Sequence, residues 1–193
     1  MTPAATTPSV LKIAFIGSHG VGKTTLCYGL AARLKRRDVA LEIVHEVARR
    51  SPLPINSGTT AEAQRWILHT QIAEEILAAA RYPVVLCDRS VLDNYVYFLL
   101  AAGPDPALDH LVSAWLAGYD LLILVPILAA PLADGIRAAD PTFQRAVDER
   151  LRAEIASRGL ATLNLEASRS ADWLDVVEAE ALHRLRPAQL ELL

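Results

Sequence analysis

The chain has 193 residues, of which 52% are hydrophobic and 21% charged, with a formal net charge of −3. That length suits one domain with a sizeable core, and the mildly acidic balance gives no general attraction for nucleic acid or an anionic membrane. No apolar run reaches the roughly twenty residues that a membrane span needs.

Residues 1–9 are rich in Thr, Pro and Ala, with neither a basic start nor an apolar stretch. They read as a flexible lead-in rather than a signal peptide, and a cytoplasmic location is expected. Residues 10–193 read as a single nucleotide-binding domain. Its first element, Leu11-Lys12-Ile13-Ala14-Phe15-Ile16, is an apolar run predicted to be a buried strand.

Gly17-Ser18-His19-Gly20-Val21-Gly22-Lys23-Thr24-Thr25 follows at once, a complete G-x-x-x-x-G-K-[ST] loop, and a helical pattern then covers residues 26–37. Strand, loop and helix in that order are the context in which such a loop binds a nucleoside triphosphate. Glycines let consecutive N–H groups point inward at a polyphosphate, and the helix adds its N-terminal dipole. Lys23 is expected at the β/γ-phosphates and Thr24 at Mg²⁺. His19 is expected to face solvent or an acceptor.

A second strand is predicted at 40–44, ending in His45-Glu46, and a loop with Pro52, Pro54, Asn56 and Gly58 comes next. Glu46 could take a proton from an acceptor hydroxyl or hold a sugar; plain solvation is the alternative. Arg49 and Arg50 are acceptor contacts or a solvated face. A long helix is predicted from Thr59 to about residue 81.

Val84-Val85-Leu86-Cys87 then reads as a wholly apolar strand stopping at Asp88. An acid there suits the Mg²⁺ shell opposite Thr24, or a helix cap. Arg89 follows, where hydrolytic ATPases often carry a glutamate. An arginine instead suits clamping a phosphoryl or hydroxyl-bearing acceptor, with a surface salt bridge as the alternative. Helices are predicted over 90–102 and 106–117, the region 104–118 being core or a homodimer helix.

A fourth strand is expected at 121–125, then a lid at 131–141 carrying Arg137 towards the phosphates, with Arg145 in reserve. A charged helix over 142–157, a strand at 161–165 and a helix over 171–185 complete the chain. Cys27 and Cys87 read as buried thiols, and the three tryptophans as core or groove residues. The scattered histidines suggest no metal cluster. Strands alternating with helices, several of them continuous apolar runs, predict a three-layer αβα fold around a mostly parallel five-stranded sheet. Ligands in such sheets bind beyond the strand C-termini.

The loop at 17–25, Glu46-Val47-Ala48-Arg49, Asp88-Arg89-Ser90 with Asp93 and Tyr95, and Asp140-x-x-Phe143 with Val147-Asp148 together resemble the small P-loop kinases often labelled AAA-type ATP-binding domains. That family includes nicotinamide riboside kinase domains, and the layout is similar to that of thymidylate and deoxynucleoside kinases. The resemblance implies ATP and Mg²⁺ at Lys23 and Thr24, metal or base duty for Asp88, an acceptor at Glu46 and Arg89, and a lid function for Arg137. The absence of an Asn-Lys-x-Asp signature favours ATP over GTP. An ATP-dependent kinase acting on a nucleoside-like or nucleotide-like small molecule is the expected function. A weak ATPase or nucleotide switch acting through a protein partner is the second reading.

Overall fold

A computed structural model describes residues 10–55, 58–129 and 140–185. The predicted lead-in at 1–9, and the part of the predicted lid that carries Arg137, lie outside the described residues. Strand β1 (Leu11–Ile16) runs into the phosphate loop and helix α1 (Lys23–Lys35). Next come β2 (Leu41–Val44), a 3-10 turn (Val47–Arg50), α2 (Ala61–Ala79) and β3 (Val84–Asp88). Helices α3 (Val91–Ala102) and α4 (Pro106–Leu116) lead to β4 (Leu121–Leu124). The chain ends with α5 (Pro141–Ser157), β5 (Leu163–Asn164), a 3-10 stretch (Ala167–Asp172) and α6 (Trp173–Arg184).

All four strand pairings are parallel, in the order β2-β3-β1-β4-β5. The expected αβα architecture and five-stranded sheet are present. Placing β1 at the centre, with β3 and β4 on either side, brings the loop that follows β1 between two neighbouring strand ends.

The sheet divides two cores. Leu11, Ile13 and Phe15 of β1 face a core shared with α1 and α6, whereas Ala14 and Ile16 face one built with α2, α3, α4 and α5. This is the two-residue alternation of a strand covered on both faces. Helix α4 contributes Leu108, Val112 and Leu116 to the second core, so one face of the candidate dimer helix is spent on packing.

The differences from expectation lie at element ends. Helix α1 begins at Lys23, three residues before the predicted start, because Gly22 at φ 95° turns the loop directly into the helix. Thr60 and Asp140 cap α2 and α5 with side-chain oxygens on backbone N–H groups. The last strand shrinks from the expected 161–165 to Leu163–Asn164, pairing only with Ile123 and Leu124 at the sheet's edge.

Candidate functional site

The loop after β1 is fixed by a close approach. A Cβ on Gly17 would lie 2.7 Å from the Val125 carbonyl oxygen, and the residue adopts φ 147°. Gly22 has nothing within 4 Å of such an atom, so its φ of 95°, not crowding, is what calls for glycine there. Lys23 is buried, with Nζ donating to the carbonyls of Gly17 at 2.8 Å and Ser18 at 2.6 Å. Burial, aided by the Arg89 charge, lowers its pKa from 10.5 to about 7.

Thr24, on the first turn of α1, donates its hydroxyl to Asp88 Oδ2 at 2.7 Å. Asp88 is the last residue of β3, beside β1 in register with Phe15, so sheet pairing sets this distance. Asp88 does not cap the next helix; Ser90 does. Ser90 Oγ accepts from the N–H groups of Leu92 and Asp93, while Asp93 accepts from the Ser90 N–H, a complete capping box. The other Asp93 oxygen accepts the Gly17 N–H at 3.0 Å, tying this helix start to the phosphate loop.

Between Asp88 and Ser90, Arg89 adopts φ 108°. A non-glycine residue there costs on the order of 1–3 kcal/mol and persists only where its surroundings hold it. Its side chain is buried rather than on the surface. Nε and Nη2 lie 2.8 and 2.7 Å from Glu46 Oε1, and the guanidinium carbon is 5.1 Å from the Tyr97 ring centroid. Burial, the largest single influence, opposes its charge, but Glu46 together with Tyr97, Asp93 and Asp88 outweighs it and holds the guanidinium more firmly protonated than usual. Glu46 Oε2 accepts from Arg49 Nε at 2.8 Å. Glu46 is therefore a buried carboxylate between two arginines, not a solvated one. Arg50 turns away to Glu74.

His19 is the main correction to the expected site. It is buried, its ring stacked on Phe143 at 5.7 Å and its Nδ1 3.1 Å from the Tyr97 hydroxyl. Gln144 Nε2 donates to the His19 carbonyl at 2.9 Å. The start of α5 thus packs on the phosphate loop and takes the place expected for solvent. Val21 is in the core, Thr25 is exposed, and Arg145 lies exposed on α5.

Asp93 and Gln144 escaped the sequence reading as site residues. Ser90-x-x-Asp93 was a visible capping signature, but its second bond to Gly17 spans 76 positions. Cys27 and Cys87 are buried free thiols, their pKa values raised by burial. Trp173 is buried in the first core, and Tyr95 is buried in the second.

Among the described residues, no group of three or more His, Cys, Asp and Glu could hold a metal. Thr24 and Asp88 offer two hard oxygen donors at the end of the phosphate loop. That set fits Mg²⁺, which takes one or two protein oxygens and completes its shell with water and phosphate. No described helix is long and apolar enough to cross a membrane.

The sequence matches the AAA domain family over residues 12–172, most of the chain, and the protein belongs to that family. No curated protein matches it. Its fold is similar to that of deoxyadenosine kinase from M. mycoides solved with dCMP and dCDP, at TM-score 0.62 and 13% identity over 91% of this chain and 100% of that one. The same kinase with dATP gives TM-score 0.61 and 14% identity over 90% of this chain and 99% of that one. The chain thus has a kinase-like P-loop fold with a deoxynucleoside-kinase layout.

Proposed function

We propose that the protein is an ATP- and Mg²⁺-dependent kinase that phosphorylates a hydroxyl of a nucleoside-like small molecule. The observation that carries this reading is the buried Glu46–Arg89 pair beside the phosphate loop. A carboxylate and a guanidinium side by side are the groups that an acceptor hydroxyl and a transferring phosphoryl group call for, which supports the reading. The M. mycoides neighbours, described as deoxyadenosine kinase, support the acceptor class.

In this reading the loop N–H groups and Lys23 bind the polyphosphate, and Thr24 and Asp88 hold Mg²⁺. When bound, Mg²⁺ supplies charge neutralisation across the phosphates. The acceptor oxygen bonds to the γ-phosphorus as the bond to the β–γ bridging oxygen breaks, and ADP leaves. Glu46 orients the hydroxyl and receives its proton, while Arg89 stabilises the charge on the transferring oxygens. The Thr24 bond to Asp88 supports the metal role for Asp88 and the base role for Glu46 in this reading. Both arginines near Glu46 bond to that carboxylate, which favours a neutral hydroxyl over a phosphate as acceptor. Arg137 remains a candidate for a further phosphate contact.

The test is ADP release from Mg·ATP with and without a pool of nucleosides, nucleoside monophosphates and nicotinamide riboside. ADP that requires the nucleoside fraction supports the proposal. ADP release indifferent to the pool favours the ATPase or switch reading.

A further inference from the structure

A buried polar network lies behind the Arg89 turn, on the α2–α5 side of the sheet. At its centre Glu75 of α2 is 0% exposed, and both carboxylate oxygens are used twice. Oε1 accepts from Gln71 Nε2 at 2.9 Å and the Tyr119 hydroxyl at 2.6 Å. Oε2 accepts from Lys12 Nζ at 3.1 Å and Trp115 Nε1 at 2.7 Å. The Lys12 ammonium lies 4.7 Å from the Trp115 ring centroid and 5.3 Å from that of Tyr119.

Two members reach past the cluster, and both reach the same turn. Gln71 Nε2 also donates to the Arg89 carbonyl at 3.3 Å, and the Tyr119 hydroxyl accepts the Val91 N–H at 3.1 Å. Gln71 Oε1 has no partner among the described residues, an arrangement that packing alone disfavours. The two peptides that flank Ser90 are therefore gripped from behind, and the residue that enters them, Arg89, is the one held at φ 108°.

We propose that Gln71, Glu75 and Tyr119 are positioning residues that hold the Arg89 turn in its strained conformation and so aim the Arg89 guanidinium at Glu46. Glu75 fixes Gln71 and Tyr119, and these fix the Arg89 carbonyl and the Val91 N–H. Lys12 balances the buried carboxylate charge. None of these side chains is required to touch substrate. The inference rests on the kinase reading for its consequence in turnover, but its structural part does not.

The test uses Gln71→Met and Tyr119→Phe, which keep volume and remove one grip each. Two readouts are followed in the full chain: acceptor-dependent turnover beside Mg·ATP affinity, and hydrogen exchange of the Arg89 Nε–H by NMR. Turnover is expected to fall about tenfold or more, with Mg·ATP affinity within about twofold of wild type. Exchange of the Arg89 Nε–H should speed by about tenfold, while the β1 amides of Ile13 and Phe15 stay protected.

Unchanged Arg89 exchange overturns the proposal, as does equal acceleration at Arg89 and β1, which would mean a general loss of stability. If the wild-type protein shows no acceptor-dependent turnover, the kinase reading fails, and the positioning role is decided by the exchange rates alone.

Discussion

The two faces of the sheet are built from different materials. On the α1–α6 face, Leu11, Ile13, Phe15, Leu30, Leu34 and Val177 make a core in which apolar contact does the work. The α2–α5 face buries Lys12, Glu75, Gln71, Asn94, Asp93 and Gln144 among its apolar residues. Burying a polar group costs stability unless its partners are supplied, and it fixes geometry once they are. One face is accordingly a scaffold. The other gives up cheap packing to hold the Asp88–Arg89–Ser90 turn and the phosphate loop in one arrangement.

The largest effect that would sharpen this contrast is at Lys23, the buried cation that closes the phosphate loop. Lys23→Met should lower phosphoryl transfer by about two to three orders of magnitude, yet raise the melting temperature of the ligand-free protein. The folded pKa of about 7 lies below the ordinary 10.5, so the unfolded chain binds more protons between these values and wild-type stability rises with pH across that window. The thermal advantage of the Met variant should be greatest near pH 7 and fade by pH 10, as read from paired melting curves. An advantage that does not change with pH would break the argument.

Next, Glu46→Gln should reduce acceptor turnover by about 10²-fold or more while sparing Mg·ATP binding, measured by steady-state kinetics and calorimetry. On the scaffold face the signs reverse. Leu34→Ala should cost about 2–5 kcal/mol in denaturant unfolding, with turnover at low temperature within about twofold of wild type. Smallest of all, Thr60→Ala removes the bond from the Ala63 N–H that caps α2 and should cost about 1 kcal/mol. A large turnover defect from Leu34→Ala would erase the distinction between the faces.

Much of this was legible in the chain. The loop at 17–25, the alternation of strands and helices, and Asp88 at a strand end depend on local patterns, and the structure carries each of them. Arg89 was visible as an unusual neighbour of Asp88, but its φ of 108° and its pairing with Glu46, 43 positions away, depend on tertiary contacts.

Lys12 was masked by the apolar run that contains it. Gln64, Leu68, Gln71 and Glu75 sit at helical spacing on the buried side of α2, three of the four polar. Polar residues at inward positions were the available signal for the network. What hid the network was the distance to Lys12, Trp115 and Tyr119, which only the fold brings together.

The outer edge of β2 has a separate consequence. Within the described sheet β2 pairs with β3 alone, and an open strand edge invites pairing with another chain. Glu42 Oε1 accepts the N–H of Ile43 at 3.2 Å, occupying a donor that an incoming strand would need. The same carboxylate places negative charge along that edge. Strand-to-strand pairing along that edge is thereby discouraged from within the strand itself.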